Sequence, residues 1–134
     1  MSKISVSRTY KVTPGQAWSL IGNPASIASW HPAIAESLSD GDTRTCVLAD
    51  GGVLKESILL HDDAERVYRY RIDESPLPVS DYVSSVRVAE HDGGCMVTWE
   101  SDFEVVGAPV SDIEGLIRGL YQAGLENLDA SLSS

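Results

Sequence analysis

The stretch that most constrains this chain is its last, Val110 to Leu132. Val110, Ile113, Leu116, Ile117, Leu120, Tyr121, Leu125, Leu128 and Leu132 recur in steps of three and four, placing them on one face of an α-helix. Ser111 suits the N-cap, and Asp112 and Glu114 lie where the positive end of the helix dipole favours acids. At about 1.5 Å per residue such a helix runs roughly 30 Å, the width of a small domain. No other segment is as long, so the rest of the chain must supply the surface that covers its apolar stripe. Gly115, Gly119 and Gly124 interrupt it, each at a cost of about 1 kcal/mol against Ala. They imply either close packing against a neighbour or room left for a ligand.

The segments upstream supply short strands. Ile4, Val6, Arg8, Tyr10 and Val12 alternate with polar residues as a first strand. Thr13-Pro14-Gly15-Gln16 is a capping box with proline at the first helical position, opening a helix that stops near Gly22. Asn23-Pro24 starts a second short helix through Ile27, and Pro32 disfavours helix at His31. From Ala33 the apolar period becomes two. Strands are expected over 34–38, 43–48, 53–60, 66–74, 82–89 and 95–105. Asp40-Gly41-Asp42, Asp50-Gly51-Gly52, the acidic turn 62–65 and Asp92-Gly93-Gly94 separate most of them, and Pro76-Leu77-Pro78 is a stiff loop. Consecutive strands with hairpin-length turns make an antiparallel meander, which the long helix must cover on one face. The expectation is an α+β fold of one domain, 1–134: a curved seven-stranded antiparallel sheet wrapped around the C-terminal helix, with two short helices after the first strand.

Alternation assigns the inner face. Val97, Trp99, Ser101, Phe103 and Val105 share a side, as do Tyr82, Ser84, Val86 and Val88; Tyr68, Tyr70, Ile72 and Glu74; and Leu54, Glu56, Ile58 and Leu60. Glu56 and Glu74 therefore fall among inward apolar residues, and a buried charge needs a partner, a proton or water. Arg44, in register with Cys46 and Leu48 across the Asp50-Gly51-Gly52 hairpin, is the base that Glu56 could meet. If they pair, the pair would orient a polar ligand group; if Arg44 points outward, desolvation would suit Glu56 to acid–base work. Trp30, His31, Tyr70, Tyr82, Ser84 and Tyr121 are further inward polar candidates. Together these residues are too polar for a dry core and suit a pocket.

Other chemistries lack their residues. The chain has 20 acids against 10 bases, a formal charge of −10 and no basic block, which argues against nucleic acid as a partner. No apolar run approaches the roughly 18 residues of a membrane span, and the first ten residues lack a signal-peptide core. Cys46 and Cys95 lack metal-ligand spacing and read as reduced thiols of a cytoplasmic protein. His31, His61 and His91 are far apart, so neither a metal nor a cofactor is expected, and no Gly-x-Ser-x-Gly, phosphate-loop or His-Glu-x-x-His motif occurs.

The chain resembles the START-like, helix-grip (SRPBCC) superfamily in its polyketide cyclase/dehydrase-like branch. The resemblance is carried by Trp30-His31-Pro32 after two short helices and by Ala49-Asp50-Gly51-Gly52 before the strand bearing Glu56. It continues through Tyr68-Arg69-Tyr70-Arg71-Ile72, Pro76-Leu77-Pro78-Val79 ahead of Tyr82, Val97-Thr98-Trp99, and the final helix with Tyr121. It implies a deep cavity between sheet and helix that takes an apolar or aromatic small molecule. Some members cyclise or dehydrate polyketides; others carry lipids or hormones. Three readings follow. The first is a module binding a small hydrophobic or aromatic ligand through Trp30, His31, Arg44, Glu56, Tyr70, Tyr82, Ser84, Trp99 and Tyr121. The second is a cyclase or dehydratase using Glu56 or His31 for proton transfer. The third is a protein-interaction domain with a filled core.

Overall fold

The computed structural model describes residues 1–133. The chain runs β1 (Ser2–Tyr10), α1 (Pro14–Ile21), a 3₁₀ helix (Pro24–Ser29), β2 (Ile34–Asp40), β3 (Thr43–Leu48), β4 (Val53–Asp62), β5 (Val67–Glu74), β6 (Val79–His91), β7 (Gly94–Val105) and α2 (Val110–Ser133). The strands form one seven-stranded antiparallel sheet in the order β1-β7-β6-β5-β4-β3-β2. Only β1 leaves sequence order, pairing with β7 from Ser2 opposite Phe103 to Tyr10 opposite Cys95. The curved sheet with α2 against its inner face is the helix-grip fold of START-like proteins.

Local chemistry sets the elements. Thr13 Oγ1 accepts from the Gln16 N–H at 3.1 Å and Gln16 Oε1 accepts from the Thr13 N–H at 2.9 Å, closing the capping box of α1. Asn23 caps the 3₁₀ helix by accepting from the Ala25 N–H at 3.0 Å. Asp92 and Gly93 both adopt positive φ, 45° and 78°, as a primed two-residue turn between β6 and β7 requires.

Four one-residue register shifts interrupt the ladders, one at Ala35 in β2 and three, in β4, β5 and β6, that re-aim side chains strict alternation would place elsewhere. Glu56 pairs with Ile72 but Lys55 pairs with Glu74, so Asp73 is an extra residue. The shift carries Glu74 out of the inward register expected for it. It lies on the outer face, 3.8 Å from Lys55 Nζ, and both side chains are exposed. Ile58 pairs with Tyr70 and Leu60 with Arg69, so Leu59 is extra and Leu60 turns outward, also against expectation. In β6, Asp81 and Tyr82 together oppose Phe103, with Asp81 at φ 53°. That bulge lets Val79 pack against the core while Tyr82 is still buried.

On α2, Ile113, Ile117, Tyr121, Leu125 and Leu128 are buried, whereas Val110 and Leu116 are exposed despite their place in the apolar pattern. The stripe that the sheet covers is narrower at the N-terminal end than the sequence pattern. Polar ties to the rest of the fold are confined to Leu120 and beyond. Tyr10 Oη donates to the Leu125 carbonyl at 2.5 Å, Asn127 Nδ2 to the Trp30 carbonyl at 2.8 Å, and Arg8 reaches Asp129 at 3.0 Å. From Val110 to Gly119, among the described residues, no side chain makes a hydrogen bond or ion pair.

The glycines of α2 divide. A Cβ at Gly115 or Gly119 would meet nothing within 4 Å. At Gly124 it would lie 2.6 Å from His31 Cδ2 and 3.1 Å from Trp30 Cζ3. Close packing accounts for Gly124 alone.

Candidate functional site

The centre of the inner face is a buried ion pair. Arg44 and Glu56 are directly opposed in the β3–β4 ladder, so their side chains leave the sheet on the same side. Arg44 Nε donates to Glu56 Oε1 at 2.8 Å, and both side chains are almost wholly buried, at 1% and 3% exposure. Arg44 Nη1 also donates to the Pro24 carbonyl at 2.9 Å and to Tyr68 Oη at 3.4 Å. Its guanidinium carbon lies 4.7 Å from the centre of the Tyr70 ring, a cation–π geometry. Burial works against its charge, but Tyr68 and Glu56 beside it outweigh that and hold its pKa well above the ordinary value. Cys46 Sγ donates to the same Glu56 oxygen at 3.4 Å. Burial, reinforced by Glu56, pushes the Cys46 thiol up to about 12, so at neutral pH it is inert. Among the described residues Oε1 takes both bonds and Oε2 takes none.

A second polar cluster faces α2. The Tyr82 and Tyr121 hydroxyls bond one another across the sheet–helix interface. Trp99 Nε1 donates to Tyr70 Oη at 3.1 Å and to Ser84 Oγ at 3.0 Å, while Ser84 Oγ donates to the Glu100 carbonyl at 2.8 Å. The Trp99 and Tyr121 rings stack at 4.2 Å and 15°. Burial pushes the Tyr70 and Tyr82 hydroxyls well above the ordinary tyrosine value, so they are neutral donors or acceptors.

His31 is tied on both nitrogens. The Ala33 N–H donates to Nδ1 at 3.1 Å, which leaves the proton on Nε2 for the Leu120 carbonyl at 2.8 Å. Burial lowers its pKa, against the opposing pull of the Leu120 carbonyl, so the ring is neutral. In this state it has no free nitrogen for proton transfer. It fastens the loop after the 3₁₀ helix to α2.

These groups surround a cavity of about 50 Å³ between sheet and α2. Of the residues that the sequence singles out, His31, Arg44, Glu56, Tyr70, Tyr82, Trp99 and Tyr121 are in its wall. Trp30 and Ser84 are buried one layer back. Trp30 meets the Trp99 ring edge-on at 5.7 Å, and its Nε1 has no partner among the described residues. Sequence reasoning left out of the site the apolar part of the wall, including Leu54, Ile72, Leu77 and Ile117. The same alternation that found Tyr70 contained Ile72, but nothing in a sequence separates a cavity wall from plain core. The Pro24 carbonyl, a backbone acceptor for Arg44, carried no signal at all.

Beyond the cavity lies an apolar vestibule of about 300 Å³, framed by Leu116 on α2 and by Ala49 and Asp50 of the β3–β4 hairpin. The two spaces share Ala33, Leu48, Leu54, Leu77 and Leu120 as walls. Among the described residues no cluster of His, Cys, Asp or Glu is placed to hold a metal ion, and no helix is long and apolar enough to cross a membrane.

A sheet gripping one long helix, with a cavity of mixed lining between them, is the architecture of a START-like ligand-binding or cyclase-like domain. The chain belongs to the family described as polyketide cyclase / dehydrase and lipid transport, whose model matches residues 1–133. The protein XoxI from Bacillus cereus superposes with a TM-score of 0.95 at 30% identity, covering 100% of this chain and 97% of that one. A protein from Bacillus thuringiensis gives 0.93 at 28%, covering 99% and 100%. A START superfamily protein from Mycobacterium smegmatis gives 0.82 at 10%, covering 98% and 97%, a likeness of fold alone. No curated protein matches.

Proposed function

We propose that this chain is a single ligand-binding domain that takes a small apolar or aromatic molecule with a polar group into the cavity between sheet and α2. One observation carries this reading: a largely apolar enclosure leads in from an apolar vestibule and ends at a buried, hydrogen-bonded ion pair. Such a lining suits specific small-molecule recognition. Burying about 300 Å² of ligand surface gains roughly 7 kcal/mol. Association and ordering take back several kcal/mol, so useful affinity requires the polar groups as well. The cyclase or dehydratase alternative has less to draw on, because both nitrogens of His31 are occupied and Arg44 and Cys46 hold one oxygen of Glu56. The filled-core reading draws on how small the inner cavity is, about 50 Å³, and would gain if no apolar compound bound. Two buried free thiols, Cys46 and Cys95, support a cytoplasmic, reducing location.

Trp99 forms part of the wall and stacks on Tyr121, so an occupant should perturb its emission. Titration with neutral aromatic compounds is expected to change tryptophan fluorescence and raise the melting temperature, with Trp99→Phe removing most of the optical change. A broad panel that moves neither signal defeats the reading. Native mass spectrometry of protein purified from its own host is expected to show a retained small molecule.

A further inference from the structure

We infer that the ligand is an uncharged hydroxyaromatic, or an enol of similar shape, whose hydroxyl donates to Glu56 Oε2. This rests on the cavity reading above and adds the polarity, charge and orientation of the occupant. The argument starts from the unequal treatment of the two Glu56 oxygens. Oε1 accepts from Arg44 Nε at 2.8 Å and from Cys46 Sγ at 3.4 Å, whereas Oε2 has no partner among the described residues. The side chain is 97% buried by its 3% exposure and belongs to the cavity wall. Oε2 is not among the side-chain atoms sealed from solvent without a partner, so the cavity reaches it. A carboxylate oxygen in a mostly apolar wall is poorly solvated, and a donor on the ligand offsets that cost.

Charge selects the kind of donor. Arg44 and Glu56 balance one another, with Arg44 further held by the Pro24 carbonyl and the Tyr70 ring. An anionic ligand brought here meets the carboxylate, and a cationic one meets the guanidinium, each in a low-dielectric setting where like charges repel strongly. A neutral O–H avoids both penalties. The remaining wall fixes the body of the molecule. Trp99 and Tyr70, hydrogen-bonded to one another, are aromatic members of the wall, with Tyr70 next to the Arg44 guanidinium. Leu48, Leu54 and Leu77 line the way out to the vestibule. The hydroxyl therefore goes in first and the apolar portion trails toward Leu116.

The test uses three probes of one shape on the intact protein: 2-naphthol, 2-methoxynaphthalene and 2-naphthoate. Dissociation constants come from tryptophan fluorescence at neutral pH. The naphthol is expected to bind at least about tenfold tighter than the methyl ether, the margin of one hydrogen bond to a charged acceptor, and the naphthoate weakest of all. Equal binding of naphthol and ether, or tightest binding of naphthoate, overturns the inference while leaving the cavity reading standing. Absence of binding by all three defeats both. Localisation to Glu56 uses the paired variant Arg44→Leu/Glu56→Leu, which removes both charges together and strands neither. With a cooperative melt confirming the fold, this variant is expected to bind naphthol and ether equally. A naphthol preference that survives in it assigns the acceptor elsewhere, for example to the Tyr82–Tyr121 hydroxyls, and overturns the inference. Should the paired variant not fold, Arg44→Met/Glu56→Gln, closer to the native volumes and likewise without a stranded charge, is expected to narrow the margin, since the amide can also donate to the ether oxygen. An unchanged margin there has the same overturning force.

Discussion

Replacing glycine by alanine at three positions of α2 should have opposite effects on stability, although the chemical change is the same. In a helix interior alanine is favoured over glycine by about 1 kcal/mol. Gly115 and Gly119 have open space where the Cβ would go. Gly115→Ala and Gly119→Ala should therefore each stabilise the protein by up to about 1 kcal/mol, raising the melting temperature by about 3–5 °C for a domain of this size. Gly124 is different, because the new Cβ would sit 2.6 Å from His31 Cδ2 and 3.0 Å from its Nε2. Overpacking of a tight core costs about 1–3 kcal/mol. Moving His31 also weakens its bond to the Leu120 carbonyl, worth about 0.5–1.5 kcal/mol. Set against the helical gain, Gly124→Ala should lose between about 0.5 and 3.5 kcal/mol. Urea unfolding followed by far-UV circular dichroism measures all three variants on one scale. A Gly124→Ala protein as stable as Gly119→Ala would refute the packing of His31 against α2.

Leu128 is wholly buried, so Leu128→Ala should cost about 2–5 kcal/mol in the same assay. Glu56→Gln should destabilise by about 3–5 kcal/mol because it leaves Arg44 as a buried charge without its counter-ion, and Arg44→Leu/Glu56→Leu should recover much of that loss; no recovery would count against the pair. The folded pKa of His31 is lowered from its ordinary 6.5 by burial, so below that pH the unfolded chain binds the extra proton more readily. Its contribution to stability is then fully present above about pH 6.5 and lost as pH falls through the folded value. Urea midpoints taken from pH 7.5 down to 5 should fall less steeply for His31→Gln than for the native protein.

Much of this architecture is legible in the sequence because its signals are local. The Thr13–Gln16 capping box, the Asp-Gly turns and the three-to-four spacing of α2 each depend on residues close along the chain, and each element lies where they indicate. The Arg44–Glu56 pair is legible too, since one short hairpin fixes the register of both. The errors come from insertions without a periodic signature. Asp73 and Leu59 each add one residue to a strand, and that is enough to turn Glu74 and Leu60 to the outer face. Contacts distant in sequence are hidden for another reason. Nothing near Gly124 announces that His31 will pack on it, and nothing around His31 announces that both its nitrogens will be engaged. Which inward residues face a cavity and which face only one another depends on the curvature of the whole sheet.

The uneven fastening of α2 makes it a lever with one fixed end. Past Leu120 it is pinned by Tyr10, Asn127 and Arg8, and His31 holds the pivot. Before that point, among the described residues, the burial of side chains such as Ile113 and Ile117 holds it down without a side-chain hydrogen bond or ion pair. The vestibule opens beside this loose end, at Leu116. Lifting the first turns would break no polar tie among the described residues, so on the proposed function a ligand would enter by a local opening rather than by unfolding. Amide hydrogens from Gly115 to Gly119 are then expected to exchange faster than those from Gly124 to Leu128. If the cavity takes a ligand as proposed, uptake is expected to be paced by this opening, and its measured rate to level off at high ligand concentration.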